Sequence, residues 1–203
     1  MGAALASLLI VTGCQTLNTE PPPASTTMAG DWRVDAANSD DFDRKLAEVV
    51  QQARRHDMPR APMPTGQPSG SGATVIQPLP MPMEETDKMR TRLADDLRPA
   101  NRLQIAFFQE GLEITRDSEP VRQYLPAQSV SRIDSSGAFT VSCGWDQGAF
   151  VVRAKYTTRG TRTWRIEHDT ATDTVRVTFS VNNPQYGHVE MHTLYRRTTE
   201  GSN

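Results

Sequence analysis

One group of side chains in this sequence has the residue types of a metal site. His188, Glu190 and His192 occupy alternate positions of a segment that reads as a β-strand, so they share one face, with successive pairs about 7 Å apart. Zinc sites use neutral imidazoles and carboxylates as ligands, and a metal held there would suit a metal-dependent enzyme. The opposite face carries the apolar Val189 and Met191, so the three polar side chains are expected to meet water. A solvated strand face without a metal is therefore the preferred interpretation.

The sequence contains no motif of a known catalytic centre: it lacks G-x-S-x-G, a P-loop, G-x-G-x-x-G and C-x-x-C. Cys143 alternates with Val141 and Trp145 in the apolar register of a predicted strand, which is typical of a small buried hydrophobe. A nucleophilic cysteine would need a nearby base and an electropositive setting. We therefore predict no catalytic residue and no cofactor.

The other cysteine, Cys14, follows an apolar segment at the N-terminus. Residues 2–11 have the length of a signal peptide, and they are too few to span a membrane, which takes about 20 residues. The segment runs into Val-Thr-Gly-Cys, which resembles the lipobox of bacterial lipoproteins, where small residues precede a cysteine that becomes acylated. The resemblance implies a signal peptide at 1–13 and a lipid on Cys14. The chain departs from the usual signal peptide because no Lys or Arg precedes the apolar segment.

The lipobox resemblance also implies a location. In bacterial lipoproteins an Asp after the acylated cysteine signals retention in the inner membrane, so Gln15 implies the outer membrane, facing the periplasm. If Cys14 carries lipid, Cys143 has no partner for an intramolecular disulfide. The formal net charge of −2 and the pI near 6.1 differ from the strongly basic character of nucleic-acid-binding domains. We therefore expect a membrane attachment through the lipid and no nucleic-acid partner.

Residues 102–198 consist of short segments with apolar residues at every second position, which is the period of a half-buried strand. Gly, Asn and Asp between the segments supply turns, so this run predicts an antiparallel meander. In the weaker stretch 119–134, two prolines favour edge pairing or irregular structure. The aromatic residues predicted to point inward are Phe107, Phe139, Trp145, Phe150, Tyr156, Trp164, Phe179 and Tyr195. A barrel of eight strands with these residues inside would be packed, leaving binding to an open end or an outer face.

The arginines of the same strands are predicted to lie on the polar outer face, where they could meet an anionic partner. They are Arg153, Arg159, Arg162, Arg165, Arg176, Arg196 and Arg197.

Two helices are predicted between a short strand at 30–35 and the strand core. Residues 40–56 place their apolar side chains in one stripe, with Ser39 or Asp40 as the N-cap. Residues 84–97 form the second helix, which a proline ends.

Two polar segments connect these elements. Residues 14–29 are rich in Pro, Ser and Thr and are predicted to be a tether that holds the domain away from a membrane. Residues 59–82 are predicted to be a mobile loop, because they cannot bury enough apolar surface to offset ordering. Residues 30–203 are then a single β-rich domain.

Gly30-Asp31-Trp32 matches the G-x-W that opens lipocalin barrels. In that family the Trp closes one end of the barrel and is covered by an arginine from the last strands, a role that the resemblance implies for Arg196 or Arg197. The helices between the first strand and the others depart from the lipocalin layout. The chain is also similar to a set of exported bacterial proteins of no assigned activity. That similarity rests on Trp32, Val34, Asp35 and Ser39, on Gly144-Trp145, and on Tyr195-Arg196-Arg197.

These features predict a mainly β domain: an antiparallel meander that closes into a lipocalin-like barrel or curled sheet, with two packed helices. The predicted function is a lipid-anchored, non-catalytic binding or scaffold module of the cell envelope, whose partner is an unidentified protein or small molecule. Two alternatives remain open. One is a lipocalin-like carrier of a small apolar ligand, and the other is a metal-dependent enzyme that uses the face of His188, Glu190 and His192.

Overall fold

The computed structural model describes most of the chain between residues 17 and 198. The described residues are 17–22, 27–56, 87–88, 90–91, 94, 97–108, 111–126, 128–134, 137–157, 160–183 and 187–198. The predicted signal peptide, Cys14 and the predicted loop 59–82 lie outside them.

In the described part of the chain, ten strands form one antiparallel sheet. They are β1 (Gly30–Val34), β2 (Arg102–Phe108), β3 (Gly111–Arg116), β4 (Arg122–Tyr124), β5 (Ser129–Asp134), β6 (Gly137–Asp146), β7 (Ala149–Tyr156), β8 (Gly160–Asp169), β9 (Thr174–Asn183) and β10 (Gly187–Arg197). The order in the sheet is β4-β3-β2-β1-β10-β9-β8-β7-β6-β5. The strands predicted from the apolar period are confirmed, and the sheet has ten strands where eight were assumed. The stretch 119–134 supplies β4 and β5, which are the two edges of the sheet, as its prolines indicated.

The sheet curls into a half-barrel that brings its two halves face to face. The Phe107 ring of β2 lies parallel to the Trp145 ring of β6, with 6.2 Å between the ring centres. Tyr124 of β4 contacts Phe150 of β7 edge-on at 6.3 Å. These strands are far apart in the sheet order, so only a curled sheet can bring their side chains together. In the described part of the chain, β4 and β5 do not pair with each other, and the barrel is not closed by hydrogen bonds.

The structure bounds one α-helix, α1 (Phe42–His56), where two helices were predicted. Its N-cap is Asp41, whose side chain accepts from the backbone N–H of Arg44 over 2.9 Å. Ser39 and Asp40, the predicted caps, instead accept from backbone N–H groups of β10. In the predicted second helix, the described residues 87–88, 90–91, 94 and 97 are helical. No helix in the described part of the chain is long and apolar enough to cross a membrane.

Two clusters of buried apolar side chains fill the half-barrel. The cluster under α1 consists of Leu46, Val49, Leu97, Phe179, Val181, Val189 and Met191. The other includes Trp32, Ile105, Leu112, Ile114, Trp145, Phe150, Val152, Ile166 and Val175. All eight aromatic residues predicted to point inward are buried or half-buried, which agrees with the predicted register.

Trp32 is fully buried at one end of the half-barrel. The guanidinium carbon of Arg197 lies 4.2 Å from the centre of a Trp32 ring, in the geometry of a cation–π contact. The same guanidinium donates to the carbonyl oxygens of Ala29 and Thr27, at 2.9 and 2.7 Å. Arg197 therefore provides the cover that the lipocalin resemblance implied, whereas the Arg196 side chain is 64% exposed.

Candidate functional site

The predicted polar face of β10 lies in solvent. The side chains of His188, Glu190 and His192 are 61%, 44% and 49% exposed. Glu190 lies 3.2 Å from Nε2 of His192 and 3.8 Å from Nε2 of His188, while Nδ1 of His192 lies 3.1 Å from the Thr178 hydroxyl. Among the described residues, no three His, Cys, Asp or Glu side chains are grouped so that they could hold a metal ion. The geometry therefore gives the metal-dependent alternative no support.

Cys143 is buried in the half-barrel, and burial raises the pKa of its thiol to about 11. The side chain is therefore a neutral thiol at pH 7, without the thiolate that nucleophilic chemistry needs. This environment fits the predicted small buried hydrophobe. The predicted lipidation site, Cys14, lies outside the described residues.

A small cavity lies inside the half-barrel, next to the segment that leads into β2. Its volume is about 60 Å³, and three arginines line it among apolar side chains: Arg98, Arg116 and Arg122. A buried water needs roughly 10–15 Å³ of such space, whereas small-molecule sites usually measure about 300–1,000 Å³. This cavity has room for a few water molecules and is too small for a whole ligand. The deep interior is therefore packed, as its aromatic content predicted.

A larger cavity of about 320 Å³ opens at the end of the half-barrel that carries the β2–β3 and β6–β7 hairpins. We call it the aromatic pocket. The residues of the sheet that line it are Phe107, Phe108, Gly111, Leu112, Trp145 and Phe150. Pro126, which lies between β4 and β5, also lines it. The lining also includes Thr19, Glu20 and Pro21, which belong to the segment before β1. Its volume falls within the usual range of small-molecule sites.

Trp145 is central to the walls of the aromatic pocket. Its ring lies within 6° of parallel to that of Phe107, and it meets Phe150 edge-on, with 5.1 Å between the ring centres. Both arrangements are favourable for aromatic pairs, which prefer offset or edge-on contacts about 4.5–7 Å apart. Trp145 and Phe150 are only 4% and 0% exposed, so the core fixes their positions. Phe107 and Phe108 are half-buried and form the more accessible part of the wall.

Residues 17–22, which we call the N-terminal strap, lie against the edge of β6. The backbone N–H of Asn18 donates to the carbonyl oxygen of Trp145, and the N–H of Trp145 donates to that of Asn18, both over 2.8 Å. This position is open because β5 pairs with β6 only as far as Ser142. The strap therefore covers part of a sheet edge that would otherwise expose unpaired backbone groups. The predicted tether 14–29 thus includes a stretch that pairs with the sheet.

Gly144 makes this close approach feasible. A Cβ atom at Gly144 would lie 2.7 Å from the carbonyl oxygen of Asn18 and 2.7 Å from Cβ of Leu17. Both distances are shorter than real Cβ contacts allow. Because the Asn18 oxygen belongs to the backbone, a side-chain rotation could not relieve the clash. Any larger residue at this position would therefore displace the strap. The structure thus gives each residue of the Gly144-Trp145 motif a role. Gly144 leaves space for the strap, while the Trp145 backbone forms hydrogen bonds with the strap and Trp145 lines the pocket.

Arg197 and Arg162 were predicted on the outer face, and the structure corrects both predictions. Arg197 is paired in the sheet with the fully buried Trp32 and covers its ring. Arg162 also lies on the inner face of the sheet. In the sheet it is paired with Ala154 and Val181, both buried. It donates to the Tyr156 hydroxyl over 2.9 Å, and its guanidinium carbon lies 4.4 Å from the centre of the Tyr156 ring. The sequence contained a signal for this position, because Arg162 is in the same alternation as the inward-facing Trp164.

No family model and no curated protein matches the chain. Two solved structures with lipocalin-like folds are similar to it at low sequence identity. One is zebrafish ileal bile acid-binding protein in complex with cholic acid, at 9% identity and a TM-score of 0.44, covering 85% of this chain and 99% of that one. The other is an abundant heat soluble (SAHS) protein of Ramazzottius varieornatus, at 9% identity and a TM-score of 0.47, covering 85% and 96%.

Proposed function

We propose that the chain is a non-enzymatic binding protein that holds a small apolar ligand in the aromatic pocket. The observation that carries this proposal is a cavity of about 320 Å³ with four aromatic side chains in its walls. Concave, mostly apolar cavities of this size are the usual form of small-molecule sites. Burial of apolar ligand surface against these rings would provide the driving force for binding. The proposal selects the carrier alternative over a scaffold.

The described surface exposes few large apolar side chains to a scaffold partner. Three large apolar side chains are exposed there: Val121, Val130 and Ile133. Val130 and Ile133 are three positions apart on β5 and so point to opposite faces of the sheet. Val130 and Ile133 therefore do not belong to one apolar patch, and apolar residues that are exposed singly are normal on soluble proteins.

The proposed location is the bacterial cell envelope, with the protein attached to the outer membrane through a lipid on Cys14. The apolar segment at 2–11 and the Val-Thr-Gly-Cys sequence support this. Membrane fractionation of the wild type and of Cys14→Ala tests it, because the variant should be unprocessed or released from the membrane. Normal fractionation of Cys14→Ala would contradict the anchor.

Titration with tert-butylbenzene, a neutral apolar probe, tests the ligand proposal. Binding can be followed by NMR through the indole N–H signal of Trp145, assigned with Trp145→Phe. Phe107→Ala should weaken binding because it removes part of the pocket wall. Phe139→Ala is the matched control, since Phe139 is also a half-buried phenylalanine stacked on an aromatic ring, that of Tyr156, but does not line the pocket. Equal weakening by both variants, or no binding to the wild type, would contradict the proposal.

A further inference from the structure

The charge at the aromatic pocket differs from that at the interior cavity. Among the described residues that line the pocket, Glu20 is the one ionisable side chain. The arginines Arg98, Arg116 and Arg122 line the separate interior cavity. As far as the described residues line it, the pocket therefore combines aromatic walls with one carboxylate-bearing side chain, and its charge should select among apolar ligands.

Aromatic walls and a carboxylate both favour a positively charged ligand. The faces of aromatic rings carry a negative potential that attracts cations, and aromatic sites that bind quaternary ammonium groups use this attraction. A carboxylate near the rings adds a direct attraction to the same charge. An anion in the pocket would meet a like charge and would have no described basic side chain to pair with.

The strap determines where Glu20 lies. Glu20 is two residues from Asn18, which is held to Trp145 by two backbone hydrogen bonds of 2.8 Å. Trp145 also lines the pocket, so this pairing brings Glu20 into the pocket lining together with the aromatic residues. The Leu17 and Asn18 backbone passes over Gly144, which leaves no room for the strap to move closer or for a side chain beneath it.

From these contacts we infer that the N-terminal strap and the aromatic pocket together form a site for a small apolar cation, such as an aryl quaternary ammonium ion, with Glu20 as its counter-ion. This inference rests on the proposed function, because it specifies the charge of the ligand that the pocket takes. It also gives the strap a role in binding, in addition to its covering of the β6 edge.

Three probes of similar size separate the inference from the proposed function. They are phenyltrimethylammonium, its neutral isostere tert-butylbenzene, and benzenesulfonate, each titrated against the full chain. The wild type should bind phenyltrimethylammonium more tightly than benzenesulfonate. Glu20→Gln should weaken the binding of phenyltrimethylammonium about two- to fivefold, the effect expected for the loss of an ion pair at an exposed position. The same substitution should leave the affinity for tert-butylbenzene unchanged. Glu48→Gln on α1 is the matched control, since Glu48 is an exposed carboxylate that does not line the pocket.

Gly144→Ala tests the role of the strap. Its Cβ atom would displace residues 17 and 18, so Glu20 would no longer be held at the pocket. In this background Glu20→Gln should have no further effect on cation affinity, and the two changes should be non-additive. Additive effects, or a cation affinity that Glu20→Gln leaves unchanged while tert-butylbenzene still binds, would overturn the inference and leave the proposed function standing. A failure of tert-butylbenzene to bind would instead overturn the proposed function.

Discussion

Replacing Trp145 by alanine tests the packing of the half-barrel end and the binding proposal together. The change removes an indole that is 4% exposed and that contacts the rings of Phe107 and Phe150. Truncation of a buried Trp or Phe to Ala usually costs about 3–5 kcal/mol, through lost transfer free energy and the cavity left behind. One side of this indole borders the open aromatic pocket, so the half-buried Phe107 can relax into the space. We therefore expect the free energy of unfolding to fall by about 3 kcal/mol, the lower end of that range.

Urea unfolding followed by far-UV circular dichroism measures this loss without depending on the indole that is removed. A domain of this kind has about 5–15 kcal/mol of stability, so the change should shift the midpoint clearly at an unchanged m value. Trp145→Phe is the control. It keeps an aromatic ring between Phe107 and Phe150 and should recover most of the lost stability.

The outcome distinguishes two roles for Trp145. A loss below about 1 kcal/mol would show that the indole is not part of the packed core, because small losses are typical of surface positions. If that stable variant had also lost an apolar ligand, Trp145 would serve the pocket alone. The structure predicts that Trp145→Ala loses both stability and ligand binding, because Trp145 packs on Phe150 and also lines the pocket.

Three further predictions concern groups outside the pocket. Cys143 should resist alkylation in the folded protein at pH 8 and react on unfolding, because burial raises its pKa to about 11; rapid modification of the native state, read by mass spectrometry, would contradict this. Burial also raises the pKa of Tyr195 to about 12, so its contribution to stability should be complete below pH 10 and be lost as the pH rises towards 12. Tyr195→Phe should remove that part of the pH dependence in urea unfolding, and an unchanged profile would refute the assignment. His188→Ala and His192→Ala should each change stability by less than about 0.5 kcal/mol, and a bound metal lost in either variant would restore the enzyme alternative.

The strands and their faces could be predicted from sequence because the signal is local. Alternation along β6 puts Phe139, Cys143 and Trp145 on one face whatever the neighbouring strands are, and the structure keeps that register. Prolines at 120 and 126 remove backbone donors, so the stretch around them was expected at an edge, and β4 and β5 are the edges. The start of α1 was missed by two residues, because Ser39 and Asp40 have the right chemistry for a cap but bond to β10.

The pocket itself could not be predicted, because it depends on contacts between distant parts of the chain. Asn18 and Trp145 are 127 positions apart, and the composition of residues 14–29 is that of a solvated tether. Arg162 was placed outside because its charge favoured solvent, although its alternation with Trp164 favoured the interior. In the structure the hydroxyl and ring of Tyr156 compensate for the burial of the Arg162 side chain. The pairing of β7 with β8 is what brings Tyr156 close to Arg162. In both cases a tertiary contact outweighed a local preference.

The strap also constrains how the domain would sit if Cys14 carries lipid. The tether was predicted to hold the domain away from the membrane, which needs a long free segment. Asn18 is four residues beyond Cys14 and is already paired with Trp145. Four residues span at most about 14 Å even when fully extended. A lipid on Cys14 would therefore hold the aromatic pocket close to the membrane surface, and an apolar ligand could pass between the bilayer and the pocket without crossing a long aqueous distance.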